Sequence, residues 1–310
     1  MSHLFSRFLI PLILCCALVG AGDAPCPPAK AWPALDIAEI EKVRADVSSR
    51  VTARFELLIS GPWILATDLD ARTAKIVLNE VVNGSAVRVR EQLFPRVQLK
   101  RPVVLYVMKD TSSYMSWSYR LFQETPPTQL GYYDRRESYI YTHVERGFGP
   151  LLHEMVHVMA EADYPGIPAW LNEGLGSLFE EYVETADGIE GITNWRLTRF
   201  KQEILAKRPV PLRTLFALDR AAVYGENSLS YYTAARHLML WLQEQDKVLE
   251  FYMAMRDAKV ADPVKALLAV TGAQKTLEQI EAELRQWALA QSFTSNRSGP
   301  TVKKTSERFR

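Results

Sequence analysis

Cysteine is scarce in this chain. There are three in 310 residues, and Cys15 and Cys16 fall inside an N-terminal apolar run, so a disulfide framework cannot hold the fold. An excess of one charge is missing too: 37 Lys and Arg face 36 Asp and Glu, a formal net charge of +1. That balance gives no support to a protein built to neutralise nucleic-acid phosphates, and no nucleic-acid partner is expected. No apolar run reaches the roughly 20 residues that a membrane-spanning helix requires. No segment recurs at a fixed period, which disfavours a solenoid. What is present, 48% hydrophobic and 24% charged residues, is ordinary globular composition. Stability must therefore come from burial.

The two ends read differently from the middle. Arg7, the apolar run Phe8 to Gly20 broken by Pro11, and the small residues around Ala21 read as a secretory signal peptide over residues 1–21. Export to a periplasm or the exterior is the expectation, with no stable membrane span once the signal is removed. None of Cys15, Cys16 and Cys26 follows a small residue, so lipidation is not expected, and Cys26 is left near the mature N-terminus as a free or intermolecular thiol. Residues 22–35 carry Pro25, Pro27, Pro28 and Pro33 and read as an extended lead-in, with folding from about Asp36. Residues 292–310 hold Arg297, Lys303, Lys304, Arg308 and Arg310 with almost no large apolar side chains, and read as a disordered basic tail.

The pattern between these ends predicts an α+β fold. Residues 36–146 form a small mixed α/β unit: β-rich runs at Trp63–Ala66, Val103–Val107 and Ser138–Val144 alternate with helices over about Ala71–Leu93 and Thr111–Phe122. Residues 147–291 read as helical throughout. Apolar residues recur at helical spacing over 150–163, 168–183, 193–206, 229–245, 247–257 and 276–290, and no strand is expected after Gly147.

One motif carries chemistry. His153-Glu154-Met155-Val156-His157 is a His-Glu-x-x-His pattern inside a helical stretch. Residues i and i+4 share a helix face, so both imidazoles can reach one metal ion while Glu154 projects beside them as a base. A catalytic zinc takes three protein ligands and keeps one position open, so a third ligand is required. The next helix supplies Glu173, in Pro168-Ala-Trp-Leu-Asn-Glu-Gly174-Leu-Gly176. The first helix is expected to end near Asp163 and the chain to turn through Tyr164-Pro165-Gly166. Gly174 and Gly176 lower helix propensity by about 1 kcal/mol each, which makes sense if two helices must approach closely at the metal.

His153-Glu-Met-Val-His157 followed by Trp170-Leu-Asn-Glu-Gly174 resembles the gluzincin zinc metallopeptidases, and the surrounding layout over roughly residues 60–245 is similar to the bacterial peptidase-MA-like domains. The resemblance implies one zinc per chain held by His153, His157 and Glu173, with Glu154 as general base for peptide-bond hydrolysis of a peptide or protein substrate. It also implies an oxyanion donor at the head of a later helix, Tyr232, with Tyr231 in reserve. Two features depart from the family. The stretch between His157 and Glu173 is shorter than in thermolysin or the aminopeptidases, and no Gly-x-Met-Glu-Asn element is present to hold a free amine. The alternative is an exported zinc-binding or assembly protein that keeps the fold without turnover. His143 and His237 are at most neighbours of the ligands. The strand containing His143 could offer an exposed edge to an extended substrate.

Overall fold

The structure is a computed structural model that describes residues 31–185, 188–258 and 262–293. The expected signal peptide, all three cysteines, residues 22–30 of the lead-in and the tail from residue 294 lie outside the described residues. Asp36 caps the first helix, α1 (Ile37–Arg50), by accepting the Ala38 N–H at 3.0 Å. β1 (Glu56–Ser60) turns back into β2 (Trp63–Thr67). A long helical crossover then runs through α2 (Ala71–Ile76), a π-helical stretch (Val77–Ser85) and α3 (Ala86–Leu93). It delivers the chain to β3 (Val103–Met108). α4 (Thr111–Phe122) leads on to the hairpin of β4 (Gly131–Asp134) and β5 (Tyr139–His143).

The sheet order is β1-β2-β3-β5-β4, with β2, β3 and β5 mutually parallel and an antiparallel strand at each edge. Both faces are covered, so the central strands β2, β3 and β5 are buried at every position. Alternation along β3 sorts its residues between two cores: Val103, Leu105 and Val107 join the main core, while Val104, Tyr106 and Met108 join a smaller one with Val47 of α1 and Tyr114 of α4. Trp32, ahead of α1, packs edge-on against Trp63 at 5.2 Å and donates its indole N–H to the Val82 carbonyl at 2.8 Å. Packing thus reaches into the lead-in.

The main core continues into the C-terminal half. α5 (Gly149–Asp163) leaves the sheet directly after β5, and α6 (Ala169–Leu178) returns beside it. Here the expectation of helix alone is corrected. α6 stops at Leu178, and the chain forms a two-stranded hairpin, β6 (Tyr182–Thr185) and β7 (Gly188–Gly191). Each strand has four residues, too few for the alternation of Val183 and Ile189 with Glu184 and Glu190 to stand out from a helical period. Helices α7 (Arg196–Leu205), α8 (Leu212–Phe216), α9 (Arg220–Val223), α10 (Ser228–Gln243), α11 (Val248–Asp257), α12 (Pro263–Thr271) and α13 (Leu277–Ala290) complete the fold. α10 packs on α6 and is buried from Thr233 to Leu242. No helix among the described residues is long and apolar enough to cross a membrane.

Candidate metal centre

α5 ends at Asp163, as the spacing predicts, and its reversal is short. Gly166 takes a left-handed backbone (φ +83°), Ile167 N–H bonds the Tyr164 carbonyl at 3.0 Å, and Pro168 caps α6. The two helices then lie close enough that a Cβ on Gly176 would sit 3.0 Å from His157 Cε1 and 3.1 Å from His153 Nε2. Gly176 is the gap through which the imidazoles meet α6. Gly174 serves a different neighbour: a Cβ there would sit 3.2 Å from the Ala235 carbonyl and from Met239 Cγ, so it admits α10.

His153, His157 and Glu173 converge. One ligand atom from each lies within 4.8 Å of the other two, and all three side chains are buried. Glu173 Oε2 is 3.3 Å from His153 Nε2 and 3.5 Å from His157 Nε2. The two rings meet edge to face at 4.6 Å. The Tyr224 hydroxyl donates to Glu173 Oε1 at 2.7 Å, whereas Oε2 is buried with no hydrogen-bond partner. His157 Nδ1 faces Asn172 Oδ1 at 3.0 Å, and His153 Nδ1 is 3.5 Å from Glu180 Oε1. With an N–H at Nδ1, a neutral His157 turns the lone pair of Nε2 towards a carboxylate oxygen. Two acceptors facing each other in a dry site need a proton or a cation between them.

The electrostatics point the same way. Burial alone would lower the His153 pKa, but Glu173 and Glu180 outweigh it and push it up to about 10. His157 is raised for the same reason, against burial, by Glu173. Burial would raise Glu173, yet the two imidazoles hold it well below the usual carboxylate range. The centre favours positive charge at the point where the three side chains meet. Glu154 is buried beside them, and burial raises its carboxyl against the pull of the two histidines. Two imidazoles and one carboxylate form a donor set suited to zinc, and the orphaned Oε2 is the atom a cation would satisfy.

The tyrosine expected at the centre has a neighbour that the sequence did not mark. Tyr232, on α10, carries the Arg196 guanidinium 5.5 Å from its ring and meets the Tyr224 ring edge-on at 6.4 Å. Burial, then the negative charge of Glu173, pushes its hydroxyl pKa up, so it stays protonated and able to donate. Tyr224, just after α9, makes the direct bond to Glu173. Nothing in its local pattern distinguishes it from a turn residue ahead of Gly225. Glu180 carries no mark in the sequence either, since it lies two residues past the end of α6 at Leu178, outside the helical spacing. Tyr231 is partly buried and packs against the main core.

His143 and His237 do not join the triad. His143 Nε2 bonds the Gln129 carbonyl at 3.0 Å, and its ring lies 5.2 Å from Tyr114. His237 stacks on Phe200 at 4.5 Å, and burial lowers its pKa to about 3. The expected free edge at His143 is likewise corrected: β5 is paired on both sides because the hairpin adds β4 outside it, and β4 is the edge strand. No protein-family model and no curated protein matches the chain. The buried triad fits a zinc site of the gluzincin type.

Proposed function

We propose that the chain is an exported zinc-dependent peptidase, with one zinc held by His153, His157 and Glu173. The observation that carries this reading is the orphaned, buried Oε2 of Glu173 between two histidine nitrogens, with a second buried carboxylate, Glu154, on the same helix turn. A zinc bound there would supply Lewis-acid activation of water and of the scissile carbonyl. Glu154 acts as general base. Its raised pKa brings it closer to the range in which a carboxylate takes a proton from water and returns it to the leaving amine near neutral pH. Tyr232, kept protonated by burial and by Glu173, donates to the developing oxyanion. The edge strand β4 packs on α5 and offers its open side to an extended peptide.

Glu154→Gln tests the division of labour. It removes the base and none of the ligands, so zinc content and melting temperature should stay near wild type while cleavage of a broad peptide library falls by at least ~10². A wild-type protein that binds zinc, cleaves nothing and loses none of its cellular role with Glu154→Gln would be the binding or assembly protein instead.

A further inference from the structure

His157 reaches the metal position through Nε2 only if its proton resides on Nδ1, and the chain contains a device that decides this. Glu161 lies one helical turn beyond His157 on α5 and is nearly buried, with 12% of its side chain exposed. Asn172, on α6 and fully packed, bridges the two: Nδ2 donates to Glu161 Oε1 at 3.2 Å, and Oδ1 faces His157 Nδ1 at 3.0 Å. An asparagine amide fits its space equally well when turned over, so its neighbours choose the orientation. A carboxylate can only accept. Glu161 therefore draws the amide nitrogen to itself and leaves the oxygen facing His157, which must then carry its proton on Nδ1. A reversed amide would present N–H groups to Nδ1, move the proton to Nε2 and block the ligand position.

Glu161 is itself fixed from the sheet. Arg135, in the turn between β4 and β5, forks onto both of its carboxylate oxygens. Arg101 in turn donates to the Arg136 carbonyl at 3.1 Å, tying that turn down. The path runs from an exposed arginine on the edge hairpin, through two side chains, to the Nδ1 of a ligand histidine, the nitrogen that does not face the metal position. We propose that Glu161, anchored by Arg135, is a positioning residue that sets the orientation of the Asn172 amide and thereby the metal-binding nitrogen of His157. This rests on the reading of His157 as a zinc ligand.

The test is a cycle of zinc affinities, measured by chelator competition on the full mature chain. Glu161→Leu should weaken zinc binding by roughly 10-fold or more, the range for losing a partner that orients a ligand. In an Asn172→Asp background the same change should cost nothing. An aspartate accepts from His157 with either oxygen, so no orientation remains to be chosen. Glu161→Gln keeps an oxygen acceptor and should stay within about threefold of wild type. Equal losses for Glu161→Leu in both backgrounds, or none in either, would overturn the proposal. If Glu161→Leu does not fold, Arg135→Met decides, since that side chain is 57% exposed. It should weaken zinc binding severalfold in the wild-type background alone, and equal effects in both backgrounds overturn the proposal. A wild-type chain that takes up no zinc removes the metal reading and this inference together.

Discussion

Glu173, buried, and Glu180, nearly so, both stand beside His153, and the chain treats them in opposite ways. In the turn between α6 and β6, Glu180 is satisfied by protein. Arg196 forks onto it at 2.8 and 3.0 Å, and Asn194 adds a third donor at 3.1 Å. Between α5 and α6, Glu173 receives one hydroxyl on Oε1 and nothing on Oε2. A buried carboxylate with a full set of donors is a structural joint. One with an unfilled oxygen facing two imidazoles is half of a binding site. The same residue type, at the two nitrogens of one imidazole ring, serves folding in one place and a ligand in the other.

The largest effects should come from exchanging those roles. Glu173→Gln should abolish zinc uptake and peptide hydrolysis. Its amide can donate to a neutral imidazole in place of the lost ion pair, so the metal-free protein should lose less stability than Arg196→Met costs it. Arg196→Met should do the reverse. It leaves the Glu180 charge buried without its fork, an error that typically costs about 3–5 kcal/mol, and the metal-free protein should melt much earlier. Calorimetry with and without zinc reads both variants. If Arg196→Met melts like wild type, the two carboxylates are not distinct in the way the geometry says.

A smaller effect is the pH dependence of the metal-free protein, where the two kinds of group act at opposite ends. Burial would raise Glu180, but Arg196 and His153 hold its pKa far below the ordinary value of 4.5. Its contribution is present above 4.5 and is lost as pH falls below that value, because the unfolded chain binds the proton first. His153 is raised to about 10 from 6.5, so its contribution is complete below 6.5 and is lost as pH rises towards 10. His237, whose pKa burial lowers to about 3, adds a loss of stability as pH falls below 6.5, so the metal-free protein should be most stable near pH 6.5. Zinc replaces the histidine protons, so it should flatten the alkaline decline and leave the acid decline in place. Melting temperature against pH, with and without zinc, separates the two limbs. An alkaline decline that zinc leaves unaltered would count against His153 as a ligand.

The contrast also separates what is legible in the sequence from what only the fold creates. Asp36 and the continuous β-rich runs of the central strands carry strong local signals, and α4 falls where its pattern places it, Thr111–Phe122. The ligands were legible because a single helix sets the spacing of His153 and His157, and because Pro168 and two glycines mark the return. Glu180, Tyr224, Asn172 and Glu161 were not assigned roles. Each acts across a tertiary contact that no periodicity records: Tyr224 is 51 residues from Glu173, and Asn172 is 11 from Glu161. The β6–β7 hairpin was lost for a related reason. Four-residue strands are fixed by their pairing with each other, which a scan for helical spacing cannot see.

The smallest expected effects distinguish the two tyrosines beside Glu173, and they sharpen the comparison because each removes a single oxygen. Tyr224 holds Oε1 of Glu173, so Oε2 alone is turned to the histidines. Tyr224→Phe should free the carboxylate to rotate and weaken zinc binding severalfold. Tyr224 as a whole is 43% exposed, so folding stability should change little. Tyr232→Phe removes a hydroxyl that the proposed reaction uses only when charge builds on the carbonyl oxygen. Zinc affinity should then be unchanged, kcat should fall, and KM should stay nearly constant. If Tyr224→Phe lowers kcat at saturating zinc while Tyr232→Phe does not, the donor is Tyr224. The exposed rim of the centre would then hold the reacting group, and the partly buried head of α10 would serve packing alone.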